Sequence, residues 1–289
     1  MSSRWKKWLK LGLKLLVLGL VVWFVHDALI GAIEKLGEAE FHWRPGWLLL
    51  AGVLYSIGLV PTGFFWCRVL RALGQPVQFF PAVRAYCIGH LGKYVPGKAM
   101  VIVLRAGLVR SGGVDLGIGA ASVFVETLTT MSVGAVLGAA VLAVRLRDER
   151  FLFWGSLGMA LVGITPTLPP VFRRLVRLAR ISRSNPEAAA KLSGLGFDTL
   201  LIGWVTSVVA WLFLAVSLWA TFRGMGIHDA PLFAYLPEYV AAVTLSTVAG
   251  FLSMIPGGFG VREAVLLSVI PRLFANVVTQ PQAIVASGL

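Results

Sequence analysis

Apolar residues run almost unbroken over five stretches of this chain: residues 47–67, 116–144 with one interruption at Glu126, 151–172, 199–222 and 239–261. Each can supply a helix that crosses a hydrocarbon core, which takes roughly 20 apolar residues. A weaker stretch, residues 11–30, has Lys14, His26 and Asp27 near its ends. The long lysine stem lets its ammonium reach the interface. No small-residue cleavage site follows, so an uncleaved first span is expected rather than a signal peptide. The pattern predicts an all-α polytopic membrane bundle of about six full spans. It forms a single transmembrane domain over residues 1–289, with no soluble domain.

Two regions break the pattern. Between 76 and 113 the apolar pieces are too short to span, and Pro76, Pro81 and Pro96-Gly97 punctuate them. A hairpin that dips in from the cytoplasmic side and returns is expected there. The second break is Pro256-Gly257-Gly258-Phe259-Gly260, and a hairpin of opposite orientation is expected over about 245–271. The alternative is a continuous span over 239–261, kinked at Pro256. Irregular backbone at membrane depth survives where protein or a watery cavity satisfies its polar groups. Broken segments in corresponding halves point to a transporter-like midplane site and an inverted repeat.

Composition agrees: 57% of residues are hydrophobic and 13% charged, where a soluble domain carries about 25% charged. The net charge of +13 would suggest nucleic acid in a soluble protein, but its distribution argues otherwise. Five Lys/Arg lie in the N-terminal tail, seven between Arg68 and Arg110, and six between Arg173 and Lys191, against six in the presumed outer loops. That is a positive-inside bias. It places the N-terminus in the cytoplasm, and a basic loop at about 173–198 lies on anionic headgroups. The lipid bilayer is therefore the expected partner, with no nucleic acid. Cys67 and Cys87 fall on the reducing side. The histidines show no ligand spacing, so no metal or cofactor is expected. Glu238, at the outer start of the last apolar stretch, reads as a solvated end residue. Gly134 and Gly138, four apart, permit close helix packing.

The residues that bear chemistry cluster at the breaks. Gly92-Lys93-Tyr94-Val95-Pro96-Gly97-Lys98-Ala99 nearly spells a nucleotide P-loop, but Ala99 replaces the magnesium-binding hydroxyl and no strand precedes it. What survives is an anion nest at Pro96 and Gly97, with Lys98 and Arg105 on one face if the following segment is helical. The alternative is that these cations anchor the hairpin at the interface. Glu126, in an otherwise uncharged stretch, should face the bundle interior with a partner, and Arg105 and Arg262 are the candidates. Its role is structural, as an ion pair or a protonated, hydrogen-bonded glutamate, or functional, as charge balance at a headgroup site or a proton relay. Arg262 and Glu263 are neighbours about 100° apart on a helix and so need different partners. They follow a second turn at Pro256, Gly257, Gly258 and Gly260.

These two motifs, with Glu126, resemble the flippase-like family named for the lysylphosphatidylglycerol synthase transmembrane region. The residues that carry the resemblance are 92–98 with Arg105, and Pro256 through Ala264. Thr127 and Thr130 depart from it, standing where the family commonly has arginine and aspartate. Relatives commonly add a further helix where this chain stops in an apolar run, so a truncated chain is an expectation. The resemblance implies a multi-pass protein of the bacterial inner membrane that moves a lipid between leaflets, an aminoacylated phospholipid in the best understood relatives. It implies a phospholipid or polyprenyl-phosphate substrate, and a second copy or a lipid-synthesis enzyme as candidate partner. In that reading Lys98, Arg105 and Arg262 hold phosphate, Glu126 and Glu263 balance charge or meet a cationic moiety, and no catalysis is expected. The rivals are a membrane-embedded glycosyltransferase and an accessory scaffold.

Overall fold

The computed structural model describes residues 43–94, 99–145, 195–253 and 255–274, with single positions at 154, 158, 160, 161, 165, 171 and 277. The expected span at 11–30, most of that at 151–172, most of the basic loop, and Pro96, Gly97 and Lys98 lie outside the described residues. Regular structure among the described residues is entirely helical. Helix α1 covers Pro45–Ala72, α2 Phe79–His90, α3 Ala99–Arg110, α4 Leu116–Arg145, α5 Phe197–Gly224, α6 Leu232–Leu252 and α7 Val261–Leu273. Short 3-10 turns at Leu91–Tyr94 and Pro256–Gly258 follow α2 and α6. Helices α1, α4, α5 and α6 are long and apolar enough to cross a membrane.

Small residues set how these four meet. Lipid tails are as apolar as leucine, so helix association in a bilayer relies on close packing rather than on the hydrophobic effect. Helices α1 and α5 run antiparallel: Gly224 faces Leu48, Gly58 faces Leu214, and the Phe65 ring lies on Gly203. The Ser217 hydroxyl donates to the Ala51 carbonyl across the same seam at 2.8 Å. Helices α4 and α5 run parallel. A Cβ on Gly134 would sit 2.7 Å from the Trp211 ring, and the Trp211 indole N–H donates to the Thr130 carbonyl at 3.0 Å. Helix α6 lies antiparallel to α4, with Gly138 opposite Thr244 and Leu245. Gly134 and Gly138 therefore serve two different neighbours. At the far end of that seam Glu238 is buried and ion-paired with Arg145. This corrects the expectation of a solvated Glu238. A carboxylate taken out of water needs a charged or hydrogen-bonding partner, and α4 ends where it can provide one.

The short helices form two folded-back pairs. In the first, α2 and α3 lie side by side and antiparallel, with Gly89 against the stem of Arg105 and Gly92 against Val101. In the second, α7 returns along α6. Gly250 of α6 meets Gly258 and Arg262 at one end, and Phe274 packs on Tyr239 at the other, ring centroids 4.8 Å apart. A continuous span kinked at Pro256 is not what forms. Helix α6 stops at Leu252, and Gly257, Gly258 and Gly260 adopt φ of 64°, 71° and 81°. Side-chain-bearing residues resist that left-handed region. The two 3-10 turns touch one another. Helices α2 and α3 have 12 residues each and α7 has 13. At 1.5 Å per residue they reach roughly 18–20 Å, well short of a hydrocarbon core about 30 Å thick.

Gly134→Leu should force Trp211 out of its seat and destabilise the bundle by about 1–3 kcal/mol. Gly107→Leu has nothing within 4 Å to meet and should be neutral. Thermal unfolding in detergent, followed through tryptophan fluorescence, compares the two.

Candidate functional site

Where the tips of the two folded-back pairs converge, they and helices α1, α4 and α5 line a partly open cavity of about 600 Å³. One wall is built around Glu126. The helix that carries it is apolar over most of its length, yet its carboxylate is buried, 2% exposed, and is met by four donors. Arg105 from α3 donates through Nη1 to Oε2 at 2.7 Å. The Tyr86 hydroxyl from α2 donates to Oε1 at 3.0 Å. Thr130, one turn along α4, donates to Oε1 at 3.2 Å, and Thr127 donates to Oε2 at 3.3 Å. Arg105 also stacks on the face of Tyr86, its guanidinium carbon 3.8 Å from the ring centroid, a cation–π arrangement. Its stem crosses α2 where Gly89 has no side chain to obstruct it. Arg105 is 3% exposed. It is thus taken up by Glu126 and Tyr86 rather than open to a ligand.

The opposite side of the cavity carries charge of another kind. Arg262 opens α7, and its aliphatic stem lies against Gly250 and Gly258. A Cβ on Gly250 would come within 2.5 Å of Arg262 Cγ. Among the described residues nothing hydrogen-bonds or ion-pairs with this guanidinium, and its Nε is buried without a partner. Facing it from the other tip is a polar trio. Lys93 Nζ donates to the Tyr55 hydroxyl at 2.8 Å and lies 3.1 Å from His90 Nε2, which is also 3.1 Å from the Tyr55 oxygen. An ammonium has donors and no acceptor, so His90 Nε2 accepts. The His90 proton then sits on Nδ1.

Of the residues singled out in the sequence, Arg105, Glu126, Arg262, Gly257 and Gly258 line this cavity. Pro256 belongs to the adjoining turn. Glu263 and Gly260 are not among the lining residues, and Glu263 Oε2 is buried without a partner among the described residues. Pro96, Gly97 and Lys98 fall outside the described residues. Sequence reasoning missed Tyr55, Tyr86, His90 and Thr130, and left Lys93 between the glycine-containing motif and an interfacial anchor. His90 and Lys93, three apart just before a break, carried a detectable signal. Tyr86 and Tyr55 carried none, because their partners lie 40 and about as many residues away in sequence.

Long apolar helices packed through small residues around a buried ion pair and a cavity define a multi-pass helical membrane protein. The chain belongs to the family described as the lysylphosphatidylglycerol synthase TM region, which it matches over residues 11–289. That membership connects it to membrane lipids. No curated protein and no solved structure matches it.

Removing one member of a buried pair strands the other. Arg105→Ala should destabilise by about 3–5 kcal/mol, while Arg105→Met combined with Glu126→Leu should recover most of that loss. Denaturation of the purified variants in detergent measures the difference.

Proposed function

We propose that this protein is a lipid translocase, not an enzyme, and that it carries a phospholipid or polyprenyl-phosphate-linked lipid with an anionic headgroup between leaflets. The observation that carries the reading is Arg262, a cation without a partner among the described residues, facing a largely apolar cavity at the meeting point of two helix breaks. A charge inside a bilayer costs a few kcal/mol or more and usually marks a substrate path. An apolar cavity around such a cation suits a molecule with a phosphate at one end and hydrocarbon at the other. Glu126 and its four donors serve in this reading as the scaffold that holds the α2–α3 tip against α4. Family membership supports a lipid substrate.

In the same reading the protein crosses the bacterial inner membrane about six times with its N-terminus in the cytoplasm. The pair α2–α3 and the segment of about 245–271 are re-entrant hairpins that enter from the cytoplasmic and outer faces. Two observations favour this. The Lys/Arg bias of the loops sets the orientation. The parallel course of α4 and α5 requires the chain between them to return across the bundle.

Liposomes containing the protein and fluorescent phosphatidylglycerol should show headgroup movement that chemical reduction from outside detects. Arg262→Ala should slow that movement about tenfold or more, the worth of one charge-assisted hydrogen bond. Glycosyl transfer from a nucleotide sugar with no lipid movement would instead favour the transferase. Full activity in Arg262→Ala would leave the accessory scaffold. For the topology, single cysteines at positions 91 and 259 should resist membrane-impermeant maleimide, while cysteines at 112 and 228 should react from opposite sides.

A further inference from the structure

Around the cavity, among the described residues, three cations stand against one carboxylate: Lys93, Arg105 and Arg262 against Glu126. The carboxylate is already committed, with Arg105 at 2.7 Å and three hydroxyls filling both oxygens. It has no capacity left for an incoming ammonium without breaking a buried pair. Lys93 is hydrogen-bonded to Tyr55 and His90. Even with Lys93 left out of the count, Arg262 remains as surplus positive charge. A like charge brought against a desolvated cation is disfavoured, and an opposite one is favoured.

From this we infer that the site selects its headgroup by charge. It takes a lipid whose phosphate is the sole ionised group, and it discriminates against the same lipid carrying a cationic ester. The inference rests on the translocase reading and narrows its substrate class. Arg262 is the residue that sets the preference. Gly250 and Gly258 set the position of Arg262, because the close approach of their backbones leaves room for its stem and for no side chain. A Cβ on Gly258 would lie 2.7 Å from Gly250 Cα.

The test measures binding and movement separately. Full-chain protein in nanodiscs is titrated with phosphatidylglycerol, phosphatidylethanolamine and the lysyl ester of phosphatidylglycerol, with occupancy read by native mass spectrometry. The expected order is phosphatidylglycerol, then phosphatidylethanolamine, then the lysyl ester, with about tenfold or more between the first and the last. Arg262→Gln should bring phosphatidylglycerol down to the level of phosphatidylethanolamine and leave the lysyl ester no weaker. Gly250→Ala, which displaces the arginine without removing it, should move the preference in the same direction. Millimolar inorganic phosphate should not compete with phosphatidylglycerol. Competition at the lipid's own potency would assign the site to free phosphate and overturn a lipid-selective reading. Equal or tighter binding of the lysyl ester, or a preference unchanged in both variants, overturns the inference. Liposomes that move all three lipids alike overturn it while leaving the translocase standing. Charge-selective binding with no movement of any lipid sinks the translocase and leaves the selectivity intact.

Discussion

A single carboxylate buried in an otherwise apolar helix organises one half of this protein. A carboxylate at that depth needs donors, and those of Glu126 come from three successive helices. Arg105 arrives on α3, Tyr86 on α2, and Thr127 and Thr130 lie on α4 itself. Such a network is a poor source of net stability, because desolvating both charges cancels most of their attraction. What it supplies is register. An apolar cluster that includes Tyr86, Val109 and Val123 also packs the α2–α3 pair against α4, but such contacts are not directional. The bidirectional demand of an arginine and a glutamate selects one setting, and that setting brings the turn after His90 to the cavity.

The second half reaches the same place by other means. Glycine at 250 and 258 lets the returning chain touch α6 backbone to backbone, and the space beside that contact holds the stem of Arg262. One tip is thus fixed by charge pairing and the other by the absence of side chains. The contrast leaves one arginine neutralised and the other not. The cavity takes its electrostatic sign from that difference, and the functional proposals follow from it.

Much of the fold was legible because hydropathy reports membrane depth directly. The stretches 47–67, 116–144 and 199–222 became helices α1, α4 and α5, extended by a few residues at their ends. The fourth described span shifted toward its N-terminus: α6 begins at Leu232 and carries Pro237 within it, so its hydrophobic run starts before the uncharged stretch does. Both breaks were visible because proline and clustered glycine are unsuited to a continuous helix. Glu126 stood out as a lone charge in apolar surroundings. The partners were harder to see. Tyr86 looks like any interfacial tyrosine, and its hydrogen bond spans 40 residues of sequence. Glu238 looked solvent-bound because local pattern cannot show that Arg145 ends at its side. Arg105 was expected either beside Lys98 on a phosphate-binding face or as a partner of Glu126, and the second pairing is present.

The seam between α1 and α5 is closed along its length by glycine and small hydroxyl residues, from Phe65 under Gly203 to Leu48 on Gly224. Interdigitation that tight resists sliding, since each step would drive a ring or a methyl group into backbone. These two helices therefore behave as a fixed chassis. On the translocase reading, any rearrangement during transport would have to arise away from this seam.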